Sequence, residues 1–279
     1  RMDGSIDLTE MVGEVTDRLR EELDYGREAK HMALYAGMLA DKDFVQVPEP
    51  VPELSTDRLL TMTWLDGERL DAFEGAAQET RNHIAEMLFW TWWGPFNGHA
   101  VIHGDPHLGN YQVTGGGTGI NLLDFGCIRV FPPTFVEGVV DLYRATLAED
   151  FDAAYAAYEK WGFQNLSREL VEVLNIWARF IYGPLLDDRL RSVADGVSAG
   201  EYGRKEAFQV RRLLKEKGPV KIPREFVFMD RAAIGLGAAY LRLKAEVNYH
   251  RLFEESLEGF DVNAVALRQA DALKAASLA

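Results

Sequence analysis

Cysteine is nearly absent from this sequence. One residue of 279, Cys127, carries a thiol. That excludes an intrachain disulfide and a multi-cysteine metal cluster, and it fits a reducing compartment. Long apolar runs are missing too. The two strongest, Met87 to Phe96 and Ala232 to Leu241, hold ten residues each. A spanning helix needs roughly twenty, so both are expected as buried helices of a globular core. Basic residues are outnumbered, 30 Lys and Arg against 44 Asp and Glu, for a formal net charge of −14. Such a balance argues against broad binding to nucleic acid or anionic headgroups. Gly/Ser-rich and Pro-rich linkers are lacking, and no repeat period is apparent, so any domain boundary must be tight. No signal peptide is visible. The sequence begins at Arg1 rather than at methionine, which points to an upstream segment removed or left out.

What is present reads as an α+β protein with a helical second half. Leu8, Met11, Val12, Val15, Leu19 and Leu23 recur at helical spacing, and Asp7 with Glu10 forms a capping box, so a helix is expected from Leu8 to Leu39 with a break near Tyr25-Gly26. Phe44 to Val51 and Leu59 to Trp64 are β-prone runs separated by Pro, Ser and Asp, the punctuation of an antiparallel pair. Thr80 to Asn97 is apolar nearly all round and is expected as a central buried helix. Short strands follow at Ala100 to His103, Tyr111 to Thr114 and Ile120 to Leu123, and helices from Pro133 onward. A boundary is expected near Leu65 to Asp71, dividing the chain into 1–70 and 71–279.

The chemistry gathers in one stretch. His103-Gly104-Asp105-Pro106-His107-Leu108-Gly109-Asn110 is followed, fourteen residues after the asparagine, by Asp124-Phe125-Gly126 behind an apolar strand. Phosphoryl transfer needs cations on the phosphates, and magnesium favours oxygen ligands such as those of Asn110 and Asp124. Asp105, four intervening residues before Asn110, is the catalytic-base candidate. Asx turns and a strand-end turn would explain each residue taken singly. Their order and spacing together favour the phosphotransferase reading. His103 and His107 suggest a metal site, but Pro106 and Gly109 break any helix between them and no third ligand is signalled, so His103 is expected to brace the loop. Gly115-Gly116-Gly117-Thr118-Gly119 has no following helix or lysine, and is expected as a hairpin turn rather than a phosphate cradle. In Glu22 to Ala29, the like charges Asp24 and Glu28 at i, i+4 work against a helix, a local conflict of the kind that accompanies sites.

These residues resemble the UbiB-like (ADCK) atypical kinases linked to coenzyme Q biosynthesis. Glu22-Leu23-Asp24 with Arg27-Glu28-Ala29 is similar to that family's ExD signature and helix glutamate, His103 to Asn110 to its catalytic loop, and Asp124 to Arg129 to its metal motif. The resemblance implies a protein-kinase-like two-lobed fold with a truncated N-lobe and a mostly helical C-lobe. It implies ATP and Mg2+ as cofactors, with Asp105 catalytic, Asn110 and Asp124 binding magnesium, and Glu28 pairing with a nucleotide-positioning lysine. Met62, Trp64 and Leu65 would form the hinge against adenine, and Glu22 and Asp24 a regulatory signature. Partners would be a nucleotide, isoprenoid lipid or quinone-pathway proteins, in a bacterial cytoplasm or at a membrane periphery. The family's KxGQ helices, alanine-rich loop and lysine strand have no counterpart before Leu8, and its transmembrane tail has none either. Ala-Pro-Glu is missing after Arg129, which disfavours a protein substrate. Two other readings stay open: a small-molecule kinase similar to the aminoglycoside and choline phosphotransferases, and a pseudokinase or lipid-binding scaffold without turnover.

Overall fold

A computed structural model describes residues 23–195, 204–217 and 223–279. The expected capping box at Asp7 and Glu10 lies outside them, as does Glu22. Helix α1, Tyr25–Met38, begins at Asp24, whose carboxylate accepts from the Arg27 backbone N–H at 2.9 Å. The expected break near Gly26 is therefore a helix start. The apparent conflict of like charges resolves with it. Asp24 is the cap and Glu28 sits in the first turn, where the helix dipole favours an acid.

The antiparallel pair expected between Phe44 to Val51 and Leu59 to Trp64 is largely replaced by something else. Only Val45–Gln46 forms a strand, β1, and it runs parallel to a later strand. Pro48, Pro50 and Pro52 remove backbone donors from the segment that follows. What remains of the pairing is one bridge, Pro50 to Met62, with the Val51 N–H on the Thr61 carbonyl at 2.7 Å. The Thr63 N–H adds a bond to the Glu49 carbonyl at 2.9 Å, and the Ser55 hydroxyl donates to the Val51 carbonyl at 2.8 Å and accepts from the Thr61 N–H at 3.0 Å.

β2 (Glu68–Arg69) leads to α2 (Gln78–His99), then β3 (Val101–His103), β4 (Tyr111–Thr114), β5 (Gly119–Leu122) and β6 (Ile128–Val130). One sheet has the order β1-β5-β4-β2, and β3 pairs antiparallel with β6. The glycine-rich segment is the expected hairpin turn between β4 and β5, with positive φ at Gly115, Gly116 and Gly117. β6 was not expected from the sequence.

Helices α3 (Pro133–Leu147), α4 (Phe151–Lys160), α5 (Arg168–Tyr182), α6 (Arg204–Lys217), α7 (Arg224–Leu243), α8 (Tyr249–Ser256) and α9 (Val262–Ala275) complete the chain. Asp150, Ser167, Asn248 and Asp261 cap four of them through side-chain bonds to the first turn. α2 runs through the middle. Its Phe89, Trp92 and Phe96 are fully buried, which explains a sequence apolar on every face. The aromatic packing continues outward from α2 through Trp93 onto Phe253 (4.8 Å between ring centroids), and through Phe96, Phe131 and Phe135 to Trp161. At the α2 C-terminus, Gln269 of α9 donates its amide to the His99 carbonyl at 2.9 Å and, beyond β6, to the Phe131 carbonyl, also at 2.9 Å.

Close packing fixes the sign of two glycine substitutions. A Cβ on Gly138 in α3 would overlap the Trp161 indole, itself held by a 3.1 Å bond to the Phe135 carbonyl. Gly138→Ala is expected to destabilise by about 1–3 kcal/mol despite better helix propensity. A Cβ on Gly98 in α2 meets nothing within 4 Å. Gly98→Ala is expected to stabilise by about 0.5–1 kcal/mol, and urea denaturation of the two variants checks the contrast.

Candidate functional site

Two loops converge beneath α1. The first, residues 104–110, leaves β3; the second, residues 123–127, leaves β5. Backbone bonds clamp them, Gly104 N–H to the Cys127 carbonyl at 2.8 Å and Leu123 N–H to the Asn110 carbonyl at 3.1 Å. A Cβ at Gly104 would lie 2.6 Å from that Cys127 oxygen, so only glycine permits the approach.

The His103 ring joins the loops a second time. Its Nε2 lies 2.6 Å from the Asp124 carbonyl, and its Nδ1 lies 3.3 Å from the Asp105 backbone nitrogen. A carbonyl can only accept and an N–H only donate, so the ring is the neutral tautomer with its proton on Nε2. Burial agrees, holding the imidazole below its ordinary range against the pull of the Asp124 carbonyl and of the Asp124 and Asp105 charges. With both nitrogens engaged, His103 cannot ligate a metal. His107 is exposed, and its Nδ1 accepts from the Gly109 N–H at 3.1 Å.

Asp105 is held on both sides of its backbone, because its carbonyl accepts from Asn110 Nδ2 at 2.9 Å. That bond uses the Asn110 amide nitrogen and leaves Oδ1 able to accept or to ligate. Asp124 is set by an Asx turn, Gly126 N–H to Oδ1 at 2.9 Å, leaving Oδ2. Two hard oxygens on adjoining loops suit magnesium, which commonly takes one or two protein carboxylates or amides and completes its shell with phosphate oxygens and water. No trio of His, Cys, Asp and Glu among the described residues could hold a metal unaided.

α1 reads the second loop at Phe125. Glu28 Oε1 accepts from the Phe125 N–H at 3.2 Å, and His31 Nδ1 donates to the Phe125 carbonyl at 3.0 Å. One turn on, Tyr35 packs edge-on against the Phe125 ring at 5.8 Å and the His103 ring at 6.1 Å. Burial chiefly, with the Asp124 charge adding to it, raises the Glu28 carboxyl above its ordinary value, while the Phe125 N–H works the other way. Burial lowers His31, and the Arg27 and Arg129 charges add to that.

The structure therefore brings Asp105, Asn110, Asp124 and Glu28 together. Asp24 stands at the cap of α1, one turn from Glu28. Met62, Trp64 and Leu65 lie on a separate segment; Met62 and Leu65 are half-buried, while Trp64 is 84% exposed with its indole on Asp66 at 2.8 Å. That segment settles on the β4–β5 hairpin, where Asn121 Nδ2 donates to the Asp66 carbonyl at 3.1 Å. Beside it, Gln112 Oε1 and Asn121 Oδ1 are buried acceptors with no hydrogen-bond partner. Sequence reasoning missed His31, Tyr35 and Trp92, whose indole donates to the His103 carbonyl at 3.1 Å. The spacing of Glu28, His31 and Tyr35 on one helix face was the available signal for the first two.

Comparison with known proteins points to one family. The ABC1 atypical kinase-like domain matches residues 1–158. Atypical kinase COQ8 of Saccharomyces cerevisiae mitochondria is 29% identical over 156 residues, 56% of this chain and 31% of the yeast protein. Mitochondrial atypical kinase COQ8B of Rattus norvegicus is 27% identical over 236 residues, 84% of this chain and 44% of the rat protein. The chain thus spans less than half the length of these two relatives. Among solved structures, the erythromycin complex of Rv3197 from Mycobacterium tuberculosis superposes with a TM-score of 0.69 at 21% identity, covering 93% of this chain and 64% of that one. The fold is protein-kinase-like, α+β, with a small N-lobe portion.

The α1 contacts carry opposite pH signatures. His31→Leu leaves the buried Phe125 carbonyl unpaired, so it is expected to cost about 1–3 kcal/mol near pH 7.5. The His31 value is depressed from 6.5, so wild-type stability from this contact is present above 6.5 and lost as pH falls through the depressed value; the deficit of the variant narrows there. Glu28→Gln keeps the acceptor and removes the charge. With Glu28 raised from 4.5, the wild type is favoured below 4.5 and loses that contribution as pH rises, so the variant gains relative stability toward neutral pH. Urea midpoints across pH check both signs.

Proposed function

This chain belongs to the ABC1 atypical kinase-like family, and from that membership we propose that it binds Mg-ATP and transfers or hydrolyses the terminal phosphoryl group in support of isoprenoid quinone synthesis. One observation carries the reading: a single imidazole is bonded to both the Asp105 N–H and the Asp124 carbonyl, so the base and the metal ligand share one brace.

In this proposal Asp105 accepts the proton of the attacking hydroxyl or water, its position set by the bonds on both faces of its peptide. Asn110 Oδ1 and Asp124 hold magnesium, which when bound neutralises charge on the transferring phosphates. Glu28 keeps the Asp124-Phe125 turn against α1 and offers its carboxylate to a nucleotide-positioning lysine. Adenine would lie against Met62, Trp64 and Leu65. Residues 1–70 would supply the N-lobe part and 71–279 the C-lobe, with Glu22 and Asp24 as a regulatory element. Association with quinone-pathway proteins or a membrane periphery follows from the relatives' context. No helix among the described residues is long and apolar enough to cross a membrane.

Calorimetry of ATP with and without magnesium, on this chain and on Asp124→Asn, tests the site. Magnesium-dependent binding is expected, weakened about tenfold or more by the substitution. Equal affinity in both proteins would remove Asp124 as a ligand. A folded chain that binds no nucleotide would overturn the reading.

A further inference from the structure

Away from the nucleotide loops, the helical half forms a half-open cavity of about 470 Å3 between α2, α5 and α7. Small-molecule sites occupy about 300–1,000 Å3, and this space falls within that range. The walls are almost wholly apolar and aromatic, including Trp93, Trp161 and Phe226. Small residues make the room. On α7, Ala233 and Gly237 line the space, and a Cβ built on Gly237 meets nothing within 4 Å.

Asp230 is the one carboxylate among the described lining residues, which include no Lys, Arg or His. Trp177, also in the wall, donates its indole N–H to Asp230 Oδ1 at 2.6 Å. That leaves Oδ2 as an acceptor at the edge of an apolar space. The carboxyl carries a cost for its position, since burial raises it above its ordinary value and only the Trp177 bond opposes this. A space left by poor packing would be lined by apolar atoms alone; this one keeps a carboxylate oxygen whose hydrogen bonding a guest can complete.

We propose that this cavity is a binding site for an uncharged small molecule with an apolar chain or ring body and a hydroxyl head that donates to Asp230. The apolar walls take the body, and a carboxylate already anchored by Trp177 rewards a donor over an ether or a hydrocarbon. The site stands independently of the nucleotide reading, because it shares none of Glu28, Asp105, Asn110 or Asp124.

The test uses 1-decanol and decyl methyl ether, which differ in the donor hydrogen, in titration calorimetry on the whole chain. The wild type is expected to bind decanol about tenfold or more tightly than the ether. Gly237→Leu improves helix propensity while filling the cavity, and Ala233→Phe fills it from an adjacent turn. Each folded variant is expected to weaken decanol binding by about tenfold or more. Asp230→Leu should bring the two probes within about threefold of each other, and Asp124→Asn should leave both affinities unchanged. No decanol binding by the folded wild type, decanol binding unmoved by either folded filling variant, or a preference for decanol that survives in Asp230→Leu would each overturn the assignment.

Discussion

The bonds from His103 to the Asp124 carbonyl and from the Asp105 N–H to His103 exist together only while the ring is neutral and carries its proton on Nε2. Much of the molecule serves that state. α2 places Trp92 on the His103 carbonyl, Tyr35 of α1 covers the ring edge-on, and β3 pairing with β6 sets its backbone. Low polarity around the ring strengthens both bonds and makes protonation costly, so the same burial that lowers the His103 value fixes the distance between Asp105 and Asp124. α7 adds a support from below, since Gly235 comes so near Pro106 that a Cβ there would lie 2.9 Å from the proline ring.

α1 supplies the other constraint. Its Glu28 and His31 take both backbone groups of Phe125, the N–H and the carbonyl, leaving the turn that carries Asp124 no freedom to rotate without breaking one of them. The arrangement couples α1 to the loop that carries Asp124 through one peptide unit. A change in α1 position would therefore move Asp124 before it moved Asp105, which is fixed within its own loop by Asn110.

Much of this was legible in the sequence. The order of His103, Asp105, Asn110 and Asp124 named the converging residues, because loop chemistry is written in local residue types. The all-apolar run from Thr80 to Asn97 announced α2, and the glycine run announced its hairpin. Long-range pairing was not legible. Phe44 to Val51 reads as a strand, but its partner is chosen by the β4–β5 hairpin and by three prolines that remove donors, not by its neighbour in sequence. β6 is three residues long and exists through its register with β3. His31 could be seen as a helix-face residue, but that it bonds Phe125, 94 positions away, is a tertiary fact. The cavity of the helical half left no sequence signature at all, since Ala233 and Gly237 read as ordinary small residues of a buried helix.

Long-range proton–nitrogen NMR of the histidine side chains, followed through acid titration, tests the brace most directly. The structure requires His103 to show the Nε2–H tautomer and to stay neutral below the ordinary value of 6.5. A proton on Nδ1, or titration at 6.5 like that of a solvent-exposed imidazole, would mean that the ring does not join Asp105 to Asp124, and the site would lose the interaction that assembles it.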